Sequence, residues 1–141
     1  MTAVCIIQAR TGSTRLPGKV LKTLSDYSML SVVISRCQRI RGIDLVVVAT
    51  TRNAADDSLC DLAAANKCGV SRGSENDVLS RYFFSAKDAR ADVILRVTAD
   101  CPLIDPGVCS HVLALLAGHG ADYASNVFPR TYPKGMDCQA F

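Results

Sequence analysis

Two short stretches of this sequence carry side chains whose types and spacing suit polyphosphate chemistry. The first is Gln8-Ala9-Arg10-Thr11-Gly12-Ser13-Thr14-Arg15-Leu16-Pro17-Gly18-Lys19. Binding a triphosphate needs backbone donors, room for close approach, and cations. Gly12 lets the backbone turn and approach an anion without a Cβ in the way. Ser13 and Thr14 add hydroxyl donors. Arg10 and Arg15 offer forked donors matched to phosphate oxygens, and Lys19 a compact point charge at the far end. Pro17 stiffens the stretch between them. From Met1 to Lys22 there are four cations and no acid, a local charge that suits a small polyanion. The second stretch is Thr98-Ala99-Asp100-Cys101-Pro102. A carboxylate just past an apolar strand is well placed for Mg²⁺, which takes hard oxygen ligands and few protein contacts. A third polar run, Arg72-Gly73-Ser74-Glu75-Asn76-Asp77, precedes a helical pattern. Glu75 and Asn76 read as caps of that helix, whereas Arg72 could reach a base or ribose. The plainer readings are a solvated arginine loop for the first stretch and a turn aspartate for Asp100.

These loops need elements to hold them. Val4–Ile7, Leu45–Ala49 and Asp92–Val97 are compact, β-branched runs of the kind found in parallel sheets covered on both faces. A shorter strand is expected around Val70. Helical spacing is expected over Ser28–Ile40, Asp56–Lys67 and Asp77–Ala89, the last with a stripe of Val78, Leu79, Tyr82 and Phe83. Asp105-Pro106 opens a fourth helix as cap and first helical residue, ending at Gly118. Tyr123–Val127 and Asp137–Phe141 read as strands around a proline-containing turn. This rhythm predicts a three-layer α/β/α Rossmann-like fold with a mostly parallel sheet. The loops at 8–19, 71–77 and 98–105 follow strands and should converge on one site.

Composition narrows the class. The chain has 141 residues, 49% hydrophobic and 21% charged, the profile of one globular domain. No apolar run approaches the ~20 residues of a membrane span, and no basic, apolar leader opens the chain, so membrane insertion is not expected and a cytoplasmic location is. A net charge of +3 is too small to argue for nucleic acid. Seven cysteines form no C-x-x-C pair; they are expected to be buried free thiols, with Cys101 the one beside chemistry. His111 and His119 are expected to be structural or surface residues. The chain stops inside a strand-like pattern at Gln139–Phe141, so it is expected to be the nucleotide-binding, N-terminal part of a longer domain.

The pattern R-x-G-S-x-R-L-P-x-K at Arg10–Lys19 resembles the signature of the cytidylyltransferases that activate sugar acids, the group containing the CMP-Kdo and CMP-sialate synthetases. The fuller run Ile6–Leu21, with Val48–Thr51, Arg72–Tyr82 and Leu95–Pro106, looks closest to the branch named for spore-coat polysaccharide biosynthesis protein F. The resemblance covers nearly the whole chain. It implies a nucleotide-diphospho-sugar transferase fold, and transfer of CMP from CTP to a sugar hydroxyl with release of pyrophosphate and with Mg²⁺ as cofactor. It implies that Arg10, Ser13, Arg15 and Lys19 hold the triphosphate and that Arg72 and the turn after it lie near base and ribose. The expected nucleotide-binding set is Gln8, Ala9, Arg10, Gly12, Ser13, Arg15, Lys19, Arg72 and Ser74, with Arg10, Lys19 and Asp100 catalytic and Asp100 on the metal. Tyr123–Asn126 and Tyr132–Asp137 would face the acceptor, through Asn126 and Asp137. The branch usually has an acid two residues after that aspartate, where this chain has Gln139. Family chains also run well past position 141, into a part that supplies a further metal-binding acid and much of a homodimer contact. Two other readings stay open: a nucleotidyltransferase using a different nucleotide on a sugar phosphate, and a nucleotide-binding chain without catalysis.

Overall fold

A computed structural model describes all residues, 1–141. In chain order its elements are β1 (Ala3–Gln8), β2 (Thr23–Leu24), β3 (Tyr27–Ser28), α1 (Met29–Cys37), β4 (Leu45–Thr51), α2 (Asp57–Ala65), β5 (Gly69–Gly73), α3 (Val78–Asp88), β6 (Val93–Thr98), α4 (Pro106–His119), β7 (Ala124–Ser125) and β8 (Gln139–Ala140). Short 3-10 turns at Lys19–Leu21 and Ala54–Asp56 lead out of the first loop and into α2. Six strands form one sheet in the order β5-β4-β1-β6-β8-β7. The first four are parallel, and β8 runs antiparallel to both β6 and β7.

The alternation of side chains along each strand builds the layers. Cys5, Ile7, Val46, Val48, Leu95 and Val97 face α1, α2 and α4 in the larger core. Val4, Ile6, Val47 and Ala49 face α3 through Tyr82 and Ala86. The chain leaves β1 towards β4 and β5, then returns across β1 to β6. Right-handed crossovers place α1 and α2 on one face, and the reversal places α3 on the other. The reversal leaves a switch point between the C-terminal ends of β1 and β6, where ligands bind in open α/β sheets. Gln8 pairs with Thr98 there, and the pairing continues one residue on, the Ala99 N–H donating to the Gln8 carbonyl at 3.0 Å.

Ser28, Asp77 and Asp105 cap α1, α3 and α4, each side chain accepting from the backbone N–H three residues on, at 3.2, 2.9 and 2.9 Å. The cap of α3 is therefore Asp77 rather than Glu75 or Asn76. The fourth helix passes through Gly118 and stops at Gly120, whose φ of 57° lies in the left-handed region. The two-residue turn between β2 and β3, with Ser25 at φ 58°, lacks the Asn-Gly signal of a tight hairpin and was not expected. Tyr123–Val127 and Asp137–Phe141 narrow to two-residue strands.

The stripe expected on α3 is rotated. Tyr82 is buried, but Leu79 and Phe83 are 76% and 58% exposed. Arg81 takes the inner position at 1% exposure. Its Nη1 donates to the carbonyls of Ser74 and Glu75, tying α3 to the β5–α3 turn. A charged residue takes the inward face here because it makes backbone bonds that leucine could not.

All seven cysteines are free, and all but Cys60 are buried. No helix is long and apolar enough to cross a membrane.

Candidate functional site

The 8–19 loop is anchored at both ends in the larger core, by Ala9 and Val20 at 2% and 5% exposure. Between these anchors the chain is drawn into a closed turn. The Thr11 carbonyl accepts from the N–H groups of Ser13 at 2.8 Å and Gly18 at 3.0 Å, and the Leu16 N–H donates to the Ser13 hydroxyl at 3.3 Å. Gly18 has φ 65°, a conformation that non-glycine residues adopt at a cost. It lets the chain leave the turn and enter the 3-10 turn starting at Lys19.

A cleft of about 240 Å³ lies at the switch point. Gln8, Ala9 and Arg10 line it from the end of β1; Ser13, Thr14, Arg15, Lys19 and Val20 from the loop; Thr98, Ala99 and Asp100 from the end of β6. Three cations and one carboxylate therefore line it. The Lys19 Nζ lies 2.8 Å from the Asp100 Oδ2. That hydrogen bond holds the Asp100 carboxyl below its ordinary pKa, with partial burial opposing and the Thr98 hydroxyl assisting. Arg10 lies more loosely against Glu75, Nη1 to Oε1 3.9 Å. The cleft is mostly polar and cationic, with Asp100 at its edge ionised and exposed.

Of the residues singled out in the sequence, Gln8, Ala9, Arg10, Ser13, Thr14, Arg15, Lys19 and Asp100 meet in this cleft; Gly12, Arg72 and Ser74 do not line it. Arg72 turns toward the β4–α2 connection. Its Nε donates to the Thr51 carbonyl at 2.8 Å, its Nη2 to the Asn53 carbonyl at 2.8 Å, and its Nη1 to Asp57 at 2.7 Å. The Ser74 hydroxyl accepts from the Asp77 N–H at 3.1 Å. A Cβ at Gly12 would meet only Glu75 Oε1, at 3.6 Å, so the unliganded fold does not require glycine there. Asn126 is buried and spans two chain segments, its amide donating to the Met136 carbonyl at 2.7 Å and accepting from the Cys138 N–H at 3.0 Å. Asp137 is gripped by both Arg130 nitrogens at 2.6 and 3.0 Å, which lowers its pKa. Gln139 accepts from Arg96 Nη1 at 2.6 Å. Burial pushes the Cys101 thiol up, the setting of an inert cysteine.

Thr98 and Val20 line the cleft without having been singled out. Thr98 ends β6 two residues before Asp100, so its strand-end position was the available signal. Asp56 was read only as the start of a helix.

No three His, Cys, Asp or Glu side chains come together as a metal cage. One exposed carboxylate at the edge of a cationic cleft does fit Mg²⁺, which commonly uses one or two carboxylates and takes its other ligands from water and substrate phosphate.

Comparison with known proteins places this geometry among relatives. Residues 4–132 match the family described as cytidylyltransferase. The chain is 36% identical over 122 residues to the spore coat polysaccharide biosynthesis protein SpsF of Bacillus subtilis, covering 84% of this chain and 51% of that protein. A solved cytidylyltransferase from Leptospira borgpetersenii superposes with a TM-score of 0.95 at 38% identity, over all of this chain and 60% of the other. A CMP:2-keto-3-deoxy-manno-octonic acid synthetase solved with CTP superposes with a TM-score of 0.75 at 25% identity, over 86% and 49%. The chain spans about half the length of the curated relatives it matches.

Proposed function

The chain belongs to the cytidylyltransferase family, and on that premise we propose that its cleft binds CTP and serves the transfer of CMP to a hydroxyl of a sugar acid, releasing pyrophosphate. The observation that carries the reading is the cleft itself: Arg10, Arg15 and Lys19 line it at the switch point together with Asp100, which Lys19 contacts. Such a step asks little covalent work of the protein. An acceptor oxygen must attack the α-phosphorus in line with the departing pyrophosphate, and catalysis is positioning and charge neutralisation.

The residues divide that work. Arg10 and Arg15 grip phosphate oxygens with planar forks. Lys19 places a positive charge where the leaving pyrophosphate gathers negative charge. Asp100 orients the Lys19 ammonium and remains ionised through neutral pH, so it can also hold Mg²⁺. The metal, when bound, supplies charge neutralisation at the phosphates. In this reading Asn126 and Asp137 belong to the acceptor side, and the role is a cytoplasmic one in surface polysaccharide or glycan synthesis; the likeness to the spore coat polysaccharide biosynthesis protein supports the synthetic role. The whole protein acts as a homodimer in this reading.

Thermal shift with each of the four nucleoside triphosphates and Mg²⁺ tests the base. CTP should stabilise most, and equal shifts with all four would sink the assignment. A second reading, nucleotide binding without catalysis, is favoured by Gln139, an amide where the branch usually carries an acid. Pyrophosphate release across a panel of sugar acids separates the two.

A further inference from the structure

Asp56 is among the few buried charged residues, at 2% exposure, yet it does not line the cleft. An aspartate just ahead of a helix normally caps it. Asp56 makes no side-chain cap bond to α2. Its oxygens go elsewhere: Oδ1 accepts from the Thr11 N–H at 2.8 Å and the Thr11 hydroxyl at 2.6 Å, and Oδ2 accepts from the Thr51 hydroxyl. Burial pushes this carboxyl up, but the bonds from Thr11 and Thr51 outweigh it, and the pKa lies below its ordinary value. A buried carboxylate is tolerated only when its lone pairs are filled in this way.

Thr11 is where the 11–18 turn closes, since its carbonyl receives both Ser13 and Gly18. Every polar group of Thr11 is thus committed: its N–H and hydroxyl to Asp56, its carbonyl across the turn. Behind Asp56, Arg72 fixes the same 51–57 segment through Thr51, Asn53 and Asp57.

We propose that Asp56 is the positioning residue of the phosphate loop, fixing Thr11 and through it the closed turn that aims Ser13, Arg15 and Lys19 into the cleft. Arg72 supports it from behind by holding the segment that carries it. The identity of the anion rests on the CTP reading above; the ordering of the loop by Asp56 does not.

Amide hydrogen exchange on the full chain tests this directly. In Asp56→Asn one lone-pair face becomes an N–H₂ donor opposite Thr11 or Thr51. Exchange at Ser13 and Gly18 should rise about tenfold or more, while Ile7, Val48 and Val97 in the central strands keep their protection. Affinity for inorganic tripolyphosphate and for CTP with Mg²⁺ should weaken about tenfold, as expected for losing a charge-assisted hydrogen bond. Thr11→Ser keeps both donors and should match the parent; Thr11→Val removes the hydroxyl and should reproduce the Asp56→Asn pattern, including where the latter folds poorly. Unchanged exchange at Ser13 and Gly18 overturns the proposal. So does a rise spread evenly through the central strands, which would make Asp56 a general stability residue. So does unchanged affinity for a parent ligand once the turn has loosened. A parent chain that binds neither probe removes the CTP reading, and the exchange pattern then decides Asp56 alone.

Discussion

The pairing of Lys19 with Asp100 sets the electrostatics of the cleft. Asp100 is 44% exposed and Lys19 28%, so the bond is partly screened and small in stability terms; its value lies in fixing where the ammonium points. Asp100→Ala should leave the fold intact and abolish the Mg²⁺ dependence of nucleotide binding, read by thermal shift with and without the metal. An unchanged Mg²⁺ response would mean that another group holds the ion. Lys19→Met removes one of three cations from the cleft and should weaken tripolyphosphate binding about tenfold, in line with one charge-assisted contact; titration calorimetry measures it. Lys19 was readable in the sequence because phosphate recognition needs particular side-chain types at close spacing along one loop, and Asp100 because it follows an apolar strand. Asp56 was not, because its partner Thr11 lies 45 residues away on another segment, and an aspartate before a helix already has an ordinary explanation.

At the scale of the element, α3 shows how far periodicity can mislead. Val78, Leu79, Tyr82 and Phe83 form a legitimate apolar stripe, but the helix is turned so that Arg81 reaches the Ser74 and Glu75 carbonyls. Leu79→Ser should therefore change stability by less than about 0.5 kcal/mol, whereas Tyr82→Ala should cost about 3 kcal/mol; urea melts of the two variants distinguish the faces. Close packing at the end of β5 makes a sharper case. A Cβ at Gly73 would lie 2.9 Å from Arg81 Cγ and 3.6 Å from its Cα. Gly73→Ala should cost about 1–3 kcal/mol by overpacking and should loosen the β5–α3 turn, seen as faster amide exchange at Asp77, whose N–H donates to the Ser74 hydroxyl at 3.1 Å. The central strands β1, β4 and β6, by contrast, follow their sequence signals within a residue or two, because continuous β-branched runs have few other places to go in a chain of this size.

For the whole molecule, three carboxyls at separate points of the fold, Asp56, Asp100 and Asp137, have pKa values below their ordinary one. A depressed native pKa adds stability that is fully present above the unfolded value, near 4, and is lost as pH falls through the folded value. Thermal stability should hold level from neutral pH down to about 5 and then drop steeply below about 4; a midpoint insensitive to pH between 5 and 2 would contradict the hydrogen-bond assignments. The sequence alone determined the layer architecture and the cationic loop, because strand and helix periodicity and local side-chain chemistry are properties of neighbours in the chain. It also placed Asp100 after a strand. That Lys19 and Asp100, 81 residues apart, lie in contact was decided by the sheet order, which sets β6 beside β1 across the switch point. Tertiary structure likewise turned Arg72 toward the β4–α2 connection and tied Thr11 to Asp56. Those bonds join segments brought together only when the sheet closes, and no spacing along the chain encodes them.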